Sequence, residues 1–101
     1  MQKSVEKFID EFSLRTNAEI RYIDLVSEVG ELGKELIKAT NYGKNDFKIT
    51  EQTAGEIGDC LFSLLALCCE LDINAETALE SALQKYRRRF EQKGHIDSES
   101  G

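Results

Sequence analysis

The chain has 101 residues, 41% of them hydrophobic, and carries a formal net charge of −6 at pH 7. This length predicts one domain, whose small core buries only part of the surface. The acidic balance excludes a general binder of nucleic-acid polymers or of membrane surfaces, because either role needs a basic surface.

The first helical pattern covers residues 1–15. Apolar residues recur there at intervals of three and four, which predicts a short amphipathic helix: Val5, Phe8, Ile9 and Phe12. The pattern Thr16-Asn-Ala-Glu19 that follows is typical of a capping box. We therefore expect the second helix to begin there.

The second helix should extend to about Thr40, with apolar residues over about half of its circumference. Gly30 and Gly33 lie within this apolar arc. Each glycine costs about 1 kcal/mol relative to alanine inside a helix. We therefore expect both glycines to permit close packing against another helix.

The remaining face of the second helix is acidic. Four carboxylates fall within about 60° of one another at 100° per residue, and they are Asp24, Glu28, Glu31 and Glu35. Like charges four residues apart destabilise a helix, which makes this face unusual.

A loop is predicted over residues 40–49, because four residues typical of turns lie there: Asn41, Gly43, Asn45 and Asp46. The same loop carries two aromatic residues, Tyr42 and Phe47. Thr50 is a suitable N-cap for a third helix that should run to about Leu71.

The third helix is apolar from Cys60 to Cys69 apart from Ser63. A helix that is apolar on every side is expected to be buried on every side. It nevertheless begins with two carboxylates, Glu56 and Asp59, which their spacing places on one helix face. Carboxylates are rarely buried without a partner, so this pair predicts a bound cation.

The three cysteines all lie in this apolar helix, without zinc-ligand spacing and without a neighbouring base. This arrangement predicts inert, reduced thiols in a cytoplasmic protein. The apolar run is about half the ~20 residues of a membrane span, and no signal peptide is visible. We therefore expect no membrane partner.

A turn over residues 71–74 should lead into a fourth helix that is capped by Asn74. The apolar stripe of this helix is regular: Ala75, Ala78, Leu79, Ala82, Leu83, Tyr86 and Phe90. Lys85, Arg88 and Arg89 lie along one edge of the stripe. The prediction is an all-α domain over residues 1–93, followed by a flexible tail over residues 94–101.

Glu28-x-x-Glu31 and Glu56-x-x-Asp59 are the two candidate metal-binding pairs. The first pair alone is typical of a solvated helix surface. That interpretation is weaker for the second pair, because its helix has little polar surface, although the helix dipole favours Glu56 in a first turn without a metal. If the two helices pack antiparallel, however, all four carboxylates converge. Oxygen ligands alone suit Mg²⁺, or Mn²⁺ as a substitute, and no Glu-x-x-His pair indicates a di-iron site.

A carboxylate-bound Mg²⁺ beside a basic helix edge and an aromatic loop is typical of a nucleoside phosphate site. Lys85, Arg88 and Arg89 are candidates to bind phosphates, although a solvated basic edge is an equally good interpretation. Tyr42 and Phe47 are the candidates to stack on a base, although a packing role is more common for each of them. No nucleophilic triad and no glycine-rich phosphate loop can be assembled from the sequence.

These residues resemble the MazG-like nucleotide pyrophosphohydrolases. The resemblance rests on the paired acids and on three surrounding segments, Leu25-Val-Ser-Glu-Val-Gly-Glu-Leu32, Glu56-Ile-Gly-Asp-Cys-Leu-Phe62 and Tyr86-Arg-Arg-Arg-Phe90. It covers roughly residues 20 to 90. Two positions depart from the family pattern: Ser27 replaces a frequent acid, and Tyr86 replaces a frequent asparagine. Each departure is a candidate to change the number of bound metal ions or the base preference.

The resemblance implies a four-to-five-helix bundle that is completed by forming a homodimer or homotetramer, with sites at the subunit interface. It implies Mg²⁺ held by Glu28, Glu31, Glu56 and Asp59. The implied reaction is hydrolysis of a (d)NTP to a (d)NMP and diphosphate, in the service of nucleotide-pool housecleaning. One of these four carboxylates, or a neighbouring acid such as Glu35 or Asp24, is expected to be the general base, and Glu28 or Glu31 is favoured. The phosphorus that is attacked is left open.

Two alternatives remain at this point. Phosphoribosyl-ATP pyrophosphohydrolase has similar paired acids, although Gly58-Asp59 fits the MazG-like pattern better. A non-catalytic helical oligomerisation or binding module is the alternative from another class. The intact set of four acids counts against that module.

Overall fold

A computed structural model describes residues 1–40, 43, 44, 46 and 48–93 of the chain. It contains four helices, α1 (Gln2–Glu11), α2 (Ala18–Ala39), α3 (Glu51–Glu70) and α4 (Ala75–Lys93), and these ranges include no strand. The all-α prediction is therefore confirmed. None of the described helices is long and apolar enough to cross a membrane. The predictions for Tyr42, Phe47 and the tail over residues 94–101 lie outside the described residues.

Helix α1 ends four residues earlier than the apolar pattern predicts. Ser13 adopts a left-handed backbone conformation with φ of 55°. The N–H of Ser13 then donates to the Asp10 carbonyl at 3.3 Å, and the N–H of Leu14 donates to the Ile9 carbonyl at 2.9 Å. This is a Schellman motif, which stops a helix by satisfying its last carbonyls.

The start of α2 also differs by one residue from the prediction. Asn17, rather than Thr16, is the N-cap, and its side chain accepts a hydrogen bond from the Ile20 N–H at 2.9 Å. The Thr16 N–H instead donates to a carboxylate oxygen of Glu70 at 3.1 Å. The residue that the local pattern assigned to the cap therefore makes a tertiary contact with the end of α3 instead.

The predicted bounds of α3 and α4 agree closely with the structure. Thr50 caps α3 and forms a reciprocal capping box with Thr53. A second Schellman motif ends α3, with Asp72 at φ 55°. Asn74 then caps α4 by accepting from the Thr77 N–H at 2.9 Å.

Helices α2 and α3 pack antiparallel and form the body of the chain. Arg21 near the start of α2 pairs with Glu70 at the end of α3, whereas Glu28 further along α2 lies beside Glu56 near the start of α3. Helix α1 packs on α3, and the small buried core lies mainly at this contact: Ile9, Leu65, Ala66 and Cys69.

The expectation that α3 is buried on every side is wrong for a single chain. Leu61 and Leu64 are 39% and 44% exposed, because the one neighbouring face of α2 and the short α1 cover only part of its circumference. Gly30 and Gly33 are likewise not packed closely, since a methyl group at either would meet no atom within 4 Å. Large apolar surfaces on α2 and α3 therefore remain exposed.

Helix α4 extends away from the other three helices. None of its residues is buried, and it does not pack extensively against α1, α2 or α3. Its apolar stripe is consequently exposed, with Leu79 at 58% and Leu83 at 48% of their full accessibility. An apolar helix face of this length is uncovered in the isolated chain.

Candidate metal site

Three carboxylates from two helices converge where α2 and α3 run side by side. Oxygen atoms of Glu28, Glu56 and Asp59 all lie within 4.8 Å of one another. The antiparallel packing places the second turn of α3 against the middle of α2, and the i, i+3 spacing keeps Glu56 and Asp59 on the same face. Glu28 and Glu56 are half-buried, whereas Asp59 is exposed.

The site carries concentrated negative charge. Burial raises the pKa of Glu56 above its ordinary value, and the nearby charges of Asp59 and Glu28 raise it further. Glu31 and Glu35 act in the same direction more weakly. The three ion pairs of the described residues lie elsewhere in the chain, so no basic side chain among them neutralises these acids.

The donor set fits a small divalent cation. Mg²⁺ binds oxygen ligands at about 2.0–2.1 Å in octahedral geometry, so two of its ligand oxygens are at most about 4.2 Å apart. The observed limit of 4.8 Å is close to this value. A cation held by all three carboxylates would compensate the burial and the neighbouring charges that raise the pKa of Glu56.

Glu31 is the fourth acid that the sequence predicts for this site, and the structure places it apart from the other three. It is exposed on α2 and does not belong to the group within 4.8 Å. Its charge still raises the pKa of Glu56, so it faces the same side of the helix pair. The structure therefore brings three of the four predicted ligands together.

The thiol of Cys60 is the other ionisable group beside the acids. Burial raises its pKa, and so do the charges of Glu28, Glu56 and Asp59. Burial likewise raises the pKa of Cys69. Both thiols are therefore protonated near neutral pH, which agrees with the expectation of inert cysteines.

The predicted phosphate-binding residues lie on α4, away from the acids. Lys85 and Arg89 lie over the ring of Tyr86, with the Nζ and Cζ atoms 5.3 and 5.9 Å from its centroid. These contacts hold the two basic groups beside one aromatic ring. Because α4 does not pack extensively against α2 or α3, a single chain does not bring these residues or Arg88 to the carboxylates, and Phe47 lies outside the described residues.

A buried ion pair that the sequence does not predict lies at the other end of α2 and α3. The Nε atom of Arg21 lies 3.6 Å from a carboxylate oxygen of Glu70, and both side chains are 8% exposed. Arg21 also donates to the Leu14 carbonyl at 2.6 Å. No local pattern distinguishes Arg21 from a surface arginine, since its partner is 49 residues away in the sequence.

The sequence is similar to one known protein family. The family model described as "MazG nucleotide pyrophosphohydrolase domain" matches residues 17–93. A relative from Bacillus subtilis (strain 168), described as "Uncharacterized protein YpjD", is 32% identical over 93 residues, which cover 88% of this chain and 82% of the relative. No solved structure matches the chain.

Proposed function

The chain belongs to the family of MazG nucleotide pyrophosphohydrolase domains, and from this premise we propose that it is a Mg²⁺-dependent nucleoside triphosphate pyrophosphohydrolase. Its reaction would convert a (d)NTP and water to a (d)NMP and diphosphate. The observation that carries the proposal is the convergence of Glu28, Glu56 and Asp59 within 4.8 Å. Family membership supports pyrophosphohydrolase chemistry on nucleotides. The choice of a (d)NTP as substrate and of Mg²⁺ as the metal is our proposal.

Glu28, Glu56 and Asp59 would hold the metal ion, since their oxygens are the ligands that Mg²⁺ prefers. Mn²⁺ is the expected substitute, because it accepts the same ligand type. Bound there, the ion would supply Lewis acidity toward phosphate oxygens and water. Without a metal ion, the acidic site and a triphosphate are both negatively charged and repel each other. We therefore expect the site to bind a triphosphate only after it has bound the ion.

Glu31 is our choice for the general base, ahead of Glu28. A general base must keep a free lone pair within reach of the attacking water. Glu28 lies inside the group of three ligands, whereas Glu31 lies beside this group and is exposed. Glu31 would then take a proton from the attacking water as this water displaces the leaving group from the substrate phosphorus.

Basic residues of a second copy of the chain would bind the substrate phosphates, namely Lys85, Arg88 and Arg89. Within one chain, α4 extends away from the acids and its apolar stripe is uncovered. The exposed apolar residues of α2 and α3 offer a complementary surface on another copy, and the acidic face of α2 suits the basic end of α4. A homodimer or homotetramer would cover both surfaces and assemble the site, in which Tyr86 could contact the base.

A pyrophosphate-release screen tests this proposal. The purified protein would be incubated with canonical and modified (d)NTPs and either Mg²⁺ or Mn²⁺, with chelator as the metal-free control. Release of diphosphate together with a monophosphate supports the proposal. Stronger turnover of modified than of canonical nucleotides would support a role in clearing them from the pool.

Asp59→Asn separates the metal site from general effects of charge. The variant should lose activity and the thermal shift on Mg²⁺ addition, while its helix content stays unchanged. Glu51→Gln is the matched control, because it removes the same charge from the first turn of α3, outside the group of three. Full activity in Asp59→Asn would exclude this metal site.

A further inference from the structure

Gln2 joins the first helix to the start of the last one. Its Nε2 atom donates to the Ile73 carbonyl at 2.7 Å, and its Oε1 atom accepts from the Ala75 backbone N–H at 2.7 Å. These partners lie 71 and 73 residues further along the chain. The planar carboxamide therefore binds the backbone on both sides of Asn74, the residue that caps α4.

Helix α4 has few other attachments to the chain. None of its residues is buried, and it does not pack extensively against the other helices. The Ala75 N–H is one of the backbone donors that a helix leaves unsatisfied in its first turn, so Gln2 completes this end of α4. The direction of α4 consequently depends on the turn at Asp72, with φ of 55°, and on the Gln2 carboxamide.

The length of α4 converts a small change at its first residue into a large displacement at its basic end. With a rise of 1.5 Å per residue, Lys85 to Arg89 lie about 15–21 Å from Ala75. A rotation of about 10° at Ala75 would therefore move them by about 3 Å. Displacements of about 1 Å in a catalytic arrangement can reduce the rate by about a hundredfold.

We propose that Gln2 is a positioning residue. Its carboxamide holds the direction in which α4 leaves the body of α1, α2 and α3, and it thereby places Lys85, Arg88 and Arg89 relative to the substrate. The effect on catalysis rests on the proposed function above. The effect on the direction of α4 does not, because it is argued from the two hydrogen bonds and the turn at Asp72.

Residual dipolar couplings of backbone amides test the direction of α4 without any assay of activity. In the wild-type protein, one alignment tensor should fit the couplings of α1, α3 and α4. In Gln2→Ala, α1 and α3 should still share a tensor, whereas the α4 couplings should no longer fit it. Ser4→Ala is the control, since Ser4 is exposed on the same helix, and it should behave as the wild type.

Gln2→Glu distinguishes hydrogen bonding from packing. Glutamate keeps the size of the side chain and an acceptor for the Ala75 N–H, but its carboxylate cannot donate to the Ile73 carbonyl. The proposal predicts that Gln2→Glu also releases α4 at neutral pH. A single tensor that fits α4 in both Gln2 variants would overturn the proposal, and circular dichroism would verify that both variants are folded.

Kinetics test the consequence for the reaction. Gln2→Ala should lower kcat/KM for the triphosphate by about ten- to a hundredfold, while the thermal shift on Mg²⁺ addition stays as in the wild type. Displaced α4 couplings with unchanged kcat/KM would overturn the catalytic half of the proposal. If the wild-type protein hydrolyses no triphosphate, the proposed function fails, and the couplings still decide whether Gln2 directs α4.

Discussion

Removing the charge of Glu70 should strongly destabilise the fold, although Glu70 lies far from the candidate metal site. Glu70 and Arg21 are each 8% exposed, and their closest nitrogen and oxygen atoms are 3.6 Å apart. At this separation the attraction is about 4–5 kcal/mol for an effective dielectric constant of 20. Glu70→Gln keeps the shape of the side chain and leaves the buried guanidinium without its counterion.

The expected loss is about 3–5 kcal/mol in the free energy of unfolding. This would be a large part of the 5–15 kcal/mol that typically stabilises a domain. The Nε atom of Arg21 already lacks a hydrogen-bond partner, so the remaining contact with the Leu14 carbonyl is not expected to compensate for the lost charge. Arg21→Met should restore much of the stability to Glu70→Gln, because the double variant buries no charge.

Denaturant unfolding followed by circular dichroism measures these differences, with all variants at one chain concentration because association would shift the midpoint. Arg15→Gln is the matched control: Arg15 pairs with Glu6 and Asp10 at the exposed surface, so its loss should change stability little. A Glu70→Gln variant as stable as the wild type, or additive effects of Arg21→Met and Glu70→Gln, would refute the reasoning.

Three further predictions concern the candidate metal site, the end of α1 and the apolar stripe of α4. Glu56→Gln should reduce Mg²⁺-dependent turnover by about a hundredfold or more. It should also raise the melting temperature of the metal-free protein at neutral pH. The pKa of Glu56 is raised in the folded state, so its ionised form destabilises the fold above that pKa. The higher melting temperature of the variant should therefore disappear as the pH falls below 4.5, the ordinary pKa of the Glu56 carboxyl. A higher melting temperature that persists in acid would contradict this cause. Ser13→Gly should stabilise the protein by about 0.5–1 kcal/mol, because Ser13 has φ of 55° and glycine adopts that conformation without steric cost. Ser13→Ala is the control and should not increase the free energy of unfolding in the same assay. Leu83→Glu should lower the assembly mass measured by light scattering, whereas the adjacent Gln84→Glu should not, and an unchanged mass in Leu83→Glu would exclude the α4 stripe from the subunit contact.

The helices and most of their ends could be predicted from the sequence, because the signals are local. Thr50 and Asn74 cap α3 and α4 as their residue types indicate. The end of α1 could not be predicted in the same way, since Ser13 takes the left-handed position that glycine usually occupies in a Schellman motif. The cap of α2 is Asn17, one residue beyond the predicted Thr16, and the Thr16 N–H binds Glu70, which is distant in sequence.

The candidate metal site was predicted in part. The spacing of Glu56 and Asp59 places them on one helix face in any α-helix, so their proximity follows from the sequence. Which acids of α2 join them depends on the rotation and the axial position of one helix against the other. Packing at the α2–α3 contact selected Glu28 and left Glu31 outside the group.

The sequence by itself determined four helices, two acid pairs and apolar faces larger than one chain can cover, because helical periodicity and capping act over a few residues. Only the tertiary structure decided the buried pair of Arg21 and Glu70, the exposed side of α3 and the direction of α4. Each of these depends on contacts between residues far apart in the chain, whose geometry is set when helices pack and cannot be read from the pattern of any one helix.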